Sequence, residues 1–424
     1  MIQIIQADGR AEQARIAAMR ARAAEVGADI EEAVSAVMGA VKEKGLSAVE
    51  AYSLKFDGKI PYEIPREELE AAYDRCADEL IAAMERAAAN IRDYNEKLLV
   101  QSMEWTSPDG GTVGRVVRGL TRVGLYVPGG TAAYPSSVLM NAVPAKVAGV
   151  EELIMVTPPT ENLNDAVLAA AKIAGVDRVI AVGGAQAIAA LTFGAGFIPK
   201  VDKLVGPGNA FVATAKRLAY GKVDIDMVAG PSEVLVIADE TANPAYVAAD
   251  LLSQAEHDRL ASAVLLTTSM ELARAVDAEI VRQAGYLSRS DIMEASLRDF
   301  GCAIVCDSLE QAISLANEIA PEHLEIVTED PRAVLPEIRN AGAVFLGEWS
   351  PEPLGDYLAG PNHVLPTSGT ARFFSPLSVD SFLKTMSIVA YSRDTLAPIR
   401  EQVVAMAEAE RLTAHANSIR VRFE

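Results

Sequence analysis

Histidine is scarce in this 424-residue chain, with four copies, and cysteine scarcer, with three: Cys76, Cys302 and Cys306. So few thiols do not make a disulfide framework, and they fit a reducing cytoplasm. Cys302 and Cys306 lie around the apolar run Ala303–Val305 and read as core packing rather than as nucleophile or metal ligand. No apolar stretch approaches the roughly 18 uninterrupted residues of a membrane span, and the start Met1-Ile-Gln-Ile-Ile lacks the basic opening of a signal peptide. A soluble, cytoplasmic chain is therefore expected, with large cores, since 50% of its residues are hydrophobic. There is no basic stripe either. Lysine and arginine number 38 against 58 acidic residues, and the net charge of −20 opposes binding to nucleic acid or an anionic membrane surface. A small molecule is the expected partner. No solenoid repeat or low-complexity segment is present.

The four histidines all fall in short polar segments. His257 lies in Ser253-Gln-Ala-Glu-His-Asp258, His323 in Ala320-Pro-Glu-His-Leu-Glu325, His363 in Gly360-Pro-Asn-His363 and His415 in Leu412-Thr-Ala-His415. Singly, each reads as a capped or satisfied polar residue. Together they point to a shared site, because imidazole is both the commonest metal ligand and the side chain best suited to proton transfer near neutral pH. Carboxylates attend three of them: Glu256 and Asp258 beside His257, Glu322 and Glu325 around His323, and Asp356 seven residues before His363. A borderline cation such as zinc takes nitrogen and carboxylate oxygen together, so a catalytic metal site is plausible. No segment has the spacing of a Cys-x-x-Cys pair or a His-Glu-x-x-His helix.

Patterning gives the order of elements. Residues 11–51 and 66–98 are rich in Ala, Glu and Arg with apolar positions at helical spacing, and Asp57-Gly58 with prolines 61 and 65 breaks them apart. From Leu120 onward short apolar runs alternate with Ala-rich helical windows: Val123–Val127, Glu152–Val156, Arg178–Val182, Glu233–Ala238, Ser262–Thr267, Ala303–Cys306 and Ala343–Leu346. Such alternation predicts an α/β fold of two doubly wound, incomplete Rossmann-like parallel-sheet domains with helical extensions at both ends. The expected division is an amino-terminal helical extension over 1–25, a discontinuous first α/β domain of 26–125 plus 235–375, a second over 126–234, and a carboxy-terminal helical arm over 376–424, with a helix from about Pro398 to Thr413.

Three strand-to-helix turns carry glycine: Tyr126-Val-Pro-Gly-Gly130, Val182-Gly-Gly-Ala-Gln186 and Val205-Gly-Pro-Gly-Asn209. Open α/β sheets bind ligands at such turns, where glycine admits close backbone approach and the helix amino terminus favours anions. None is a full dinucleotide fingerprint, since Phe211 stands where Gly206-x-Gly208 would need a third glycine. Taken alone, each turn could equally be ordinary turn chemistry.

The segments Gly124-Leu-Tyr-Val-Pro-Gly-Gly130, Gly206-Pro-Gly-Asn-Ala-Phe-Val212, Ala229-Gly-Pro-Ser-Glu233 and Ser253–Asp258 resemble, in order, those of the histidinol dehydrogenases. Ala320-Pro-Glu-His-Leu324, Gly355-Asp-Tyr357, Gly360-Pro-Asn-His-Val-Leu-Pro366 and Leu412–His415 continue the resemblance over nearly the whole chain. That family oxidises L-histidinol through the aldehyde to L-histidine, the last step of histidine biosynthesis.

The resemblance implies one zinc per subunit held by Gln254, His257, Asp356 and His415, His323 as general base, and Glu322 as the residue that activates water. It further implies substrate contacts from Ser232, Gln254, His257, His323, Asp356, His363, Glu410 and His415, and NAD contacts from Tyr126, Gln186 and Asn209. By type alone Gln254 would read as a plain polar helix residue. A homodimer is also implied, in which the carboxy-terminal arm crosses so that Glu410 and His415 complete the neighbouring site. The chemistry suits these residue types. Loss of hydride from an alcohol needs the hydroxyl proton removed, which a neutral imidazole can do, and an aldehyde must add water before a second hydride can leave. Because adjacent residues point apart in a regular element, Glu322 and His323 can flank one substrate only on a turn, and Pro321 predicts a turn or a helix start there. The rival readings are a zinc-dependent hydrolase in which Glu322 activates water, and an idle relative that binds the amino alcohol or nucleotide as a regulatory module.

Overall fold

A computed structural model describes residues 1–21, 28–129, 134–160, 163–228 and 230–424. Gly130 and Ala229 of the quoted motifs, and the expected boundary at 25/26, lie outside the described residues. Fifteen strands occur among those described. In the first half of the chain they are β1 (Gln3–Gln6), β2 (Tyr62–Ile64), β3 (Met103–Thr106), β4 (Thr112–Gly119), β5 (Arg122–Tyr126), β6 (Glu152–Thr157), β7 (Arg178–Ala181) and β8 (Lys203–Val205). The second half adds β9 (Asp224–Ile225), β10 (Glu233–Ala238), β11 (Ser262–Thr267), β12 (Cys302–Val305), β13 (His323–Val327), β14 (Ala343–Leu346) and β15 (Leu383–Ala390).

Two six-stranded sheets form, of order β1-β12-β11-β10-β13-β14 and β2-β7-β6-β5-β8-β9, with a three-stranded sheet β15-β4-β3 beside them. Apart from the antiparallel edge strand β2, both large sheets are parallel. The expectation of two doubly wound units is met. In each, the chain lays three strands in one direction and then returns to add two on the other side, so strand order reverses between β10 and β13 and between β5 and β8. Strands covered on both faces read as near-continuous apolar runs, as Val234–Ala238 and Ala263–Leu266 do, and Glu233–Ala238 and Ser262–Thr267 are buried at every position. Leu125, Leu153 and Met155 are 0% exposed. Truncating one such side chain to alanine costs about 2–5 kcal/mol.

Local signals set the helix ends. Asn164, Asn209, Asn243, Ser269 and Ser308 each accept backbone N–H groups at a helix start, a cap that contributes about 1 kcal/mol. Gly58 closes the helix Leu46–Asp57 in the left-handed conformation, at φ 71°, as the Asp57-Gly58 break predicts.

Helices Ala28–Lys44 and Leu46–Asp57 pack on Gly184–Phe193, and Arg66–Arg75 and Asp78–Leu98 pack on Asp165–Ala174 and Pro135–Val147. Residues 28–98, which the sequence pattern grouped with 235–375, therefore cover the sheet of β5 to β9. Helical periodicity tells which face of a helix is buried, not which sheet it lies on. Gln3–Gln6, within the stretch read as helical, pairs with Cys302–Val305, and the stretch 376–424 places a short 3-10 turn, Val379–Phe382, and β15 before its helices Arg400–Ala409 and Thr413–Arg420.

Candidate active site

His323 opens β13, next to β10, at the point where strand order reverses in the first sheet. The helix Leu309–Ile319 stops at Ala320, whose φ of 53° is left-handed and unusual for a residue with a Cβ. Pro321 then leads into a strand, not a helix, because the carbonyls of Pro321 and Glu322 accept Gly342 N–H and Ala343 N–H from the neighbouring chain. Among the described residues, left-handed φ outside glycine occurs at Ala320, Ser368 and Arg411. Ala320 stands two residues before Glu322, and Ser368 donates its N–H to the Glu233 carboxylate, so two of the three border this region, while Arg411 lies on the carboxy-terminal helices. Strain of this kind gathers at functional sites.

Glu233, the first residue of β10, binds both neighbours through its backbone. Its N–H donates to Glu322 Oε2 at 2.9 Å, and its carbonyl lies 3.0 Å from His323 Nδ1. A carbonyl can only accept, so Nδ1 carries the proton and the lone pair of the neutral ring lies on Nε2. Burial pushes the His323 imidazole down to about 4, so the ring is neutral at ordinary pH. Nε2 is buried and has no hydrogen-bond partner. It faces Glu352 Oε1 at 3.9 Å and Asp356 Oδ1 at 3.8 Å. Glu322 lies on the other side of the ring, 3.8 Å from Nδ1, and its burial pushes its carboxyl well above the usual range.

The helix Glu352–Tyr357 brings Asp356 into place, and His363 Nδ1 lies 3.8 Å from Asp356 Oδ1. The segment that carries His363 is tied to the other sheet's helices: Asn90 donates to the Leu358 carbonyl and Asn362 to the Met140 carbonyl. At the end of the helix Pro244–Ala255, Gln254 is fully buried with neither amide atom partnered. His257 follows on a turn, its N–H bonded to the Gln254 carbonyl. Ligand atoms of His257, Glu352 and Asp356 all lie within 4.8 Å of one another. Burial raises Asp356 to about 6 and Glu352 to about 8. Carboxyls whose ionisation is opposed by burial, with an imidazole beside them, form a donor set that a cation would complete. Of the expected ligands, His257 and Asp356 thus share a group that fits a metal, and Gln254, three residues before His257, carries a buried amide with both polar atoms unpartnered.

His415 and Glu410 do not join this group. Both are exposed on the carboxy-terminal helices, which pack on each other through Val404, Ala407 and Ala416. Ser232 immediately precedes Glu233, and its carbonyl accepts Ser262 N–H.

The three residues expected to contact a nucleotide stand at or beyond the carboxyl ends of the second sheet's strands. Tyr126 ends β5, and its hydroxyl accepts Gly184 N–H at 3.1 Å; burial pushes that phenol up to about 12. Gln186 is buried and donates to Asp57 at 3.2 Å. Asn209 is exposed and caps the helix Ala210–Ala219. Gly206 has φ 106°, and a Cβ there would come within 2.1 Å of the Tyr126 carbonyl, so the two turns touch where strand order reverses.

Glu352, Glu233 and Asp250 were not singled out from sequence, and Glu325 was noted only as a neighbour of His323. Glu352 precedes Asp356 by four residues, a helical spacing that places both on one face and could have revealed it. Glu325 accepts Glu352 N–H at 2.8 Å, and burial raises Glu325 well above the usual range and Asp250 to about 6. Glu233 acts through backbone atoms, which no side-chain motif encodes.

The histidinol dehydrogenase family profile matches residues 20–423. A histidinol dehydrogenase of Clostridium acetobutylicum is 54% identical over 429 aligned positions, covering 100% of this chain and 99% of its own. One from Caldanaerobacter subterraneus is 55% identical over 401, covering 93% of each. The crystal structure of the Elizabethkingia anophelis histidinol dehydrogenase superposes with a TM-score of 0.94 at 38% identity, covering 100% of this chain and 98% of that one. Sequence over its whole length, fold and the family profile agree: the chain is an oxidoreductase that belongs to the histidinol dehydrogenase family.

Proposed function

We propose that the protein is a zinc-dependent, NAD-linked enzyme that oxidises L-histidinol through L-histidinal to L-histidine, the closing step of histidine biosynthesis. The observation that carries this reading is His323: Nδ1 committed to the Glu233 carbonyl, Nε2 unpartnered and turned toward the donor group of His257, Glu352 and Asp356. When bound, zinc held by Gln254, His257 and Asp356, and by His415 of a second copy, would fix the substrate's imidazole and amine, and NAD would accept the hydride of each oxidation.

The protein's own groups do the rest. His323 Nε2 removes the hydroxyl proton as the first hydride leaves, giving the aldehyde. Glu322, across the ring, polarises the water that adds to the aldehyde carbonyl, and His323 takes a hydroxyl proton again as the second hydride leaves. The balance is one alcohol, one water and two oxidised nucleotides in; one carboxylate, two reduced nucleotides and three protons out. His363, Ser232 and Glu410 are assigned to the substrate; Tyr126, Gln186 and Asn209 support the nucleotide turns.

A homodimer is part of the proposal. Trp105, Val113 and Val389 align across β3, β4 and β15, and Trp105 and Val389 are 51% and 74% exposed. Met406, on the terminal helix pair, is 69% exposed. Together with the exposure of His415, these faces support an arm that docks on a second copy. Unpaired thiols support a reducing cytoplasm as the compartment. Among the described residues no helix is long and apolar enough to cross a membrane.

Purified protein given zinc, L-histidinol and excess NAD should yield about two NADH per histidinol, with histidine as product and little free aldehyde. One NADH with steady release of histidinal would refute the two-step reading, and no NADH would refute the dehydrogenase itself.

A further inference from the structure

Lys216 and Asp226 form an ion pair with side chains only 5% and 1% exposed, far from the proton-transfer residues in sequence and on the other sheet. Lys216 lies on the helix Ala210–Ala219 that Asn209 caps, and Asp226 lies just past β9. Their bonds converge on one residue. Lys216 Nζ donates to the Gly206 carbonyl at 2.8 Å, and Gly206 N–H donates to Asp226 Oδ2 at 2.8 Å. Asp226 Oδ1 also accepts Met227 N–H at 2.6 Å.

Both backbone polar groups of Gly206 are thus held by the pair, while its Cα rests against the Tyr126 carbonyl, where any Cβ would collide. Apolar replacements could fill the same space, yet a buried ion pair is not needed for stability alone. What the charges add is direction: three hydrogen bonds that set the orientation of the two peptides on either side of Gly206, where the turn Gly206–Asn209 begins, and of the peptide that follows Asp226. We propose that Lys216 and Asp226 are positioning residues for the nucleotide, holding the Gly206–Asn209 turn so that NAD affinity depends on them while histidinol affinity does not. This rests on the reading of that turn as the NAD site.

The test uses full-length, zinc-loaded protein and the variants Lys216→Met, Asp226→Asn, Lys216→Arg and the double Lys216→Met/Asp226→Leu. Expected for Lys216→Met and Asp226→Asn is a KM for NAD raised by about tenfold or more, with the KM for histidinol and zinc content within about twofold of the original. Lys216→Arg, which can still donate to the Gly206 carbonyl, should recover most of the loss. A role in folding alone would not split the two KM values. If the single variants do not fold, the double variant decides, because it removes the buried charge along with the hydrogen bonds and should show the same split. An unchanged KM for NAD in folded variants, or equal rises for both substrates, overturns the clamp. A wild-type protein that turns over histidinol but shows no saturable NADH binding by fluorescence overturns the cofactor reading and the clamp with it; normal wild-type binding with unaffected variants sinks the clamp alone.

Discussion

The Glu233 carbonyl, 3.0 Å from His323 Nδ1, fixes which nitrogen of the imidazole carries its proton, and the same residue's N–H holds Glu322 at 2.9 Å. The backbone of one residue of β10 therefore orients both neighbours, and its two bonds do not use the Glu233 side chain. The roles of Glu322 and His323 can be separated because their environments differ while their anchor is shared.

His323→Asn should lower both the oxidation of histidinol and that of supplied histidinal by roughly 10²–10⁴-fold, the usual worth of a general base. Glu322→Gln should depress histidinal oxidation much more than the first step, since only the second requires water to add. Single-turnover NADH formation from each substrate measures the two effects. Equal losses from Glu322→Gln in both steps would remove its water-activating role.

Gln254 is buried with neither amide atom satisfied. An unmet buried polar group costs about 1–3 kcal/mol, so Gln254→Leu should leave the metal-free protein as stable as before or more so, while lowering bound zinc. Melting of chelator-treated protein, paired with metal analysis after reloading, reads both. A chelator should abolish turnover of the unaltered protein and zinc restore it; full zinc occupancy in the leucine variant would take Gln254 out of the ligand set.

His415 is exposed, apart from the group of His257, Glu352 and Asp356. Mixed subunits of two inactive variants, His323→Ala and His415→Ala, should regain activity, because one site of each hybrid would then be intact. Verified hybrids that stay inactive would mean that His415 serves its own subunit.

Burial pushes the thiols of Cys302 and Cys306 up to about 11. Thiolate, the reactive form, appears only as pH rises toward that value. At pH 8 an aromatic disulfide reagent should therefore label Cys76, which is half-buried, and leave the other two until the chain is unfolded. Rapid loss of three thiols from the native protein would contradict their place in the core.

Much of this was legible in the residues. Runs such as Val234–Ala238 and Ala263–Leu266 are apolar because strand interiors buried on both faces must be, and the two parallel sheets follow from their alternation with helices. The edge strand Tyr62–Ile64 and the antiparallel set β3, β4 and β15 were not legible, since Met103–Thr106 and Leu383–Ala390 are largely exposed and carry no continuous apolar signal. At the site, Gln254, His257, His323, Asp356 and His363 were found through their residue types and the family resemblance. Glu233 was missed because its contribution is a peptide group, and Lys216 and Asp226 because ten residues of helix and turn separate groups that only the folded chain brings to Gly206.

The order in which strands are laid down also sets an order of assembly. Every strand of the sheet that runs from β2 to β9 lies between Tyr62 and Ile225, and the helices over 28–98 that cover it all precede β5. Its six strands have all been made once residue 226 has left the ribosome, and Leu377, Val379 and Phe382 join its core later. Gln3–Gln6, the first strand made, has its partner in Cys302–Val305, and at synthesis rates of about 5–20 residues per second it waits through some ~80 further residues, roughly 4–16 s, after the other sheet could have closed. Its segment has to stay unpaired through that interval, so translation gives the strands of the other sheet a head start over the sheet that carries His323.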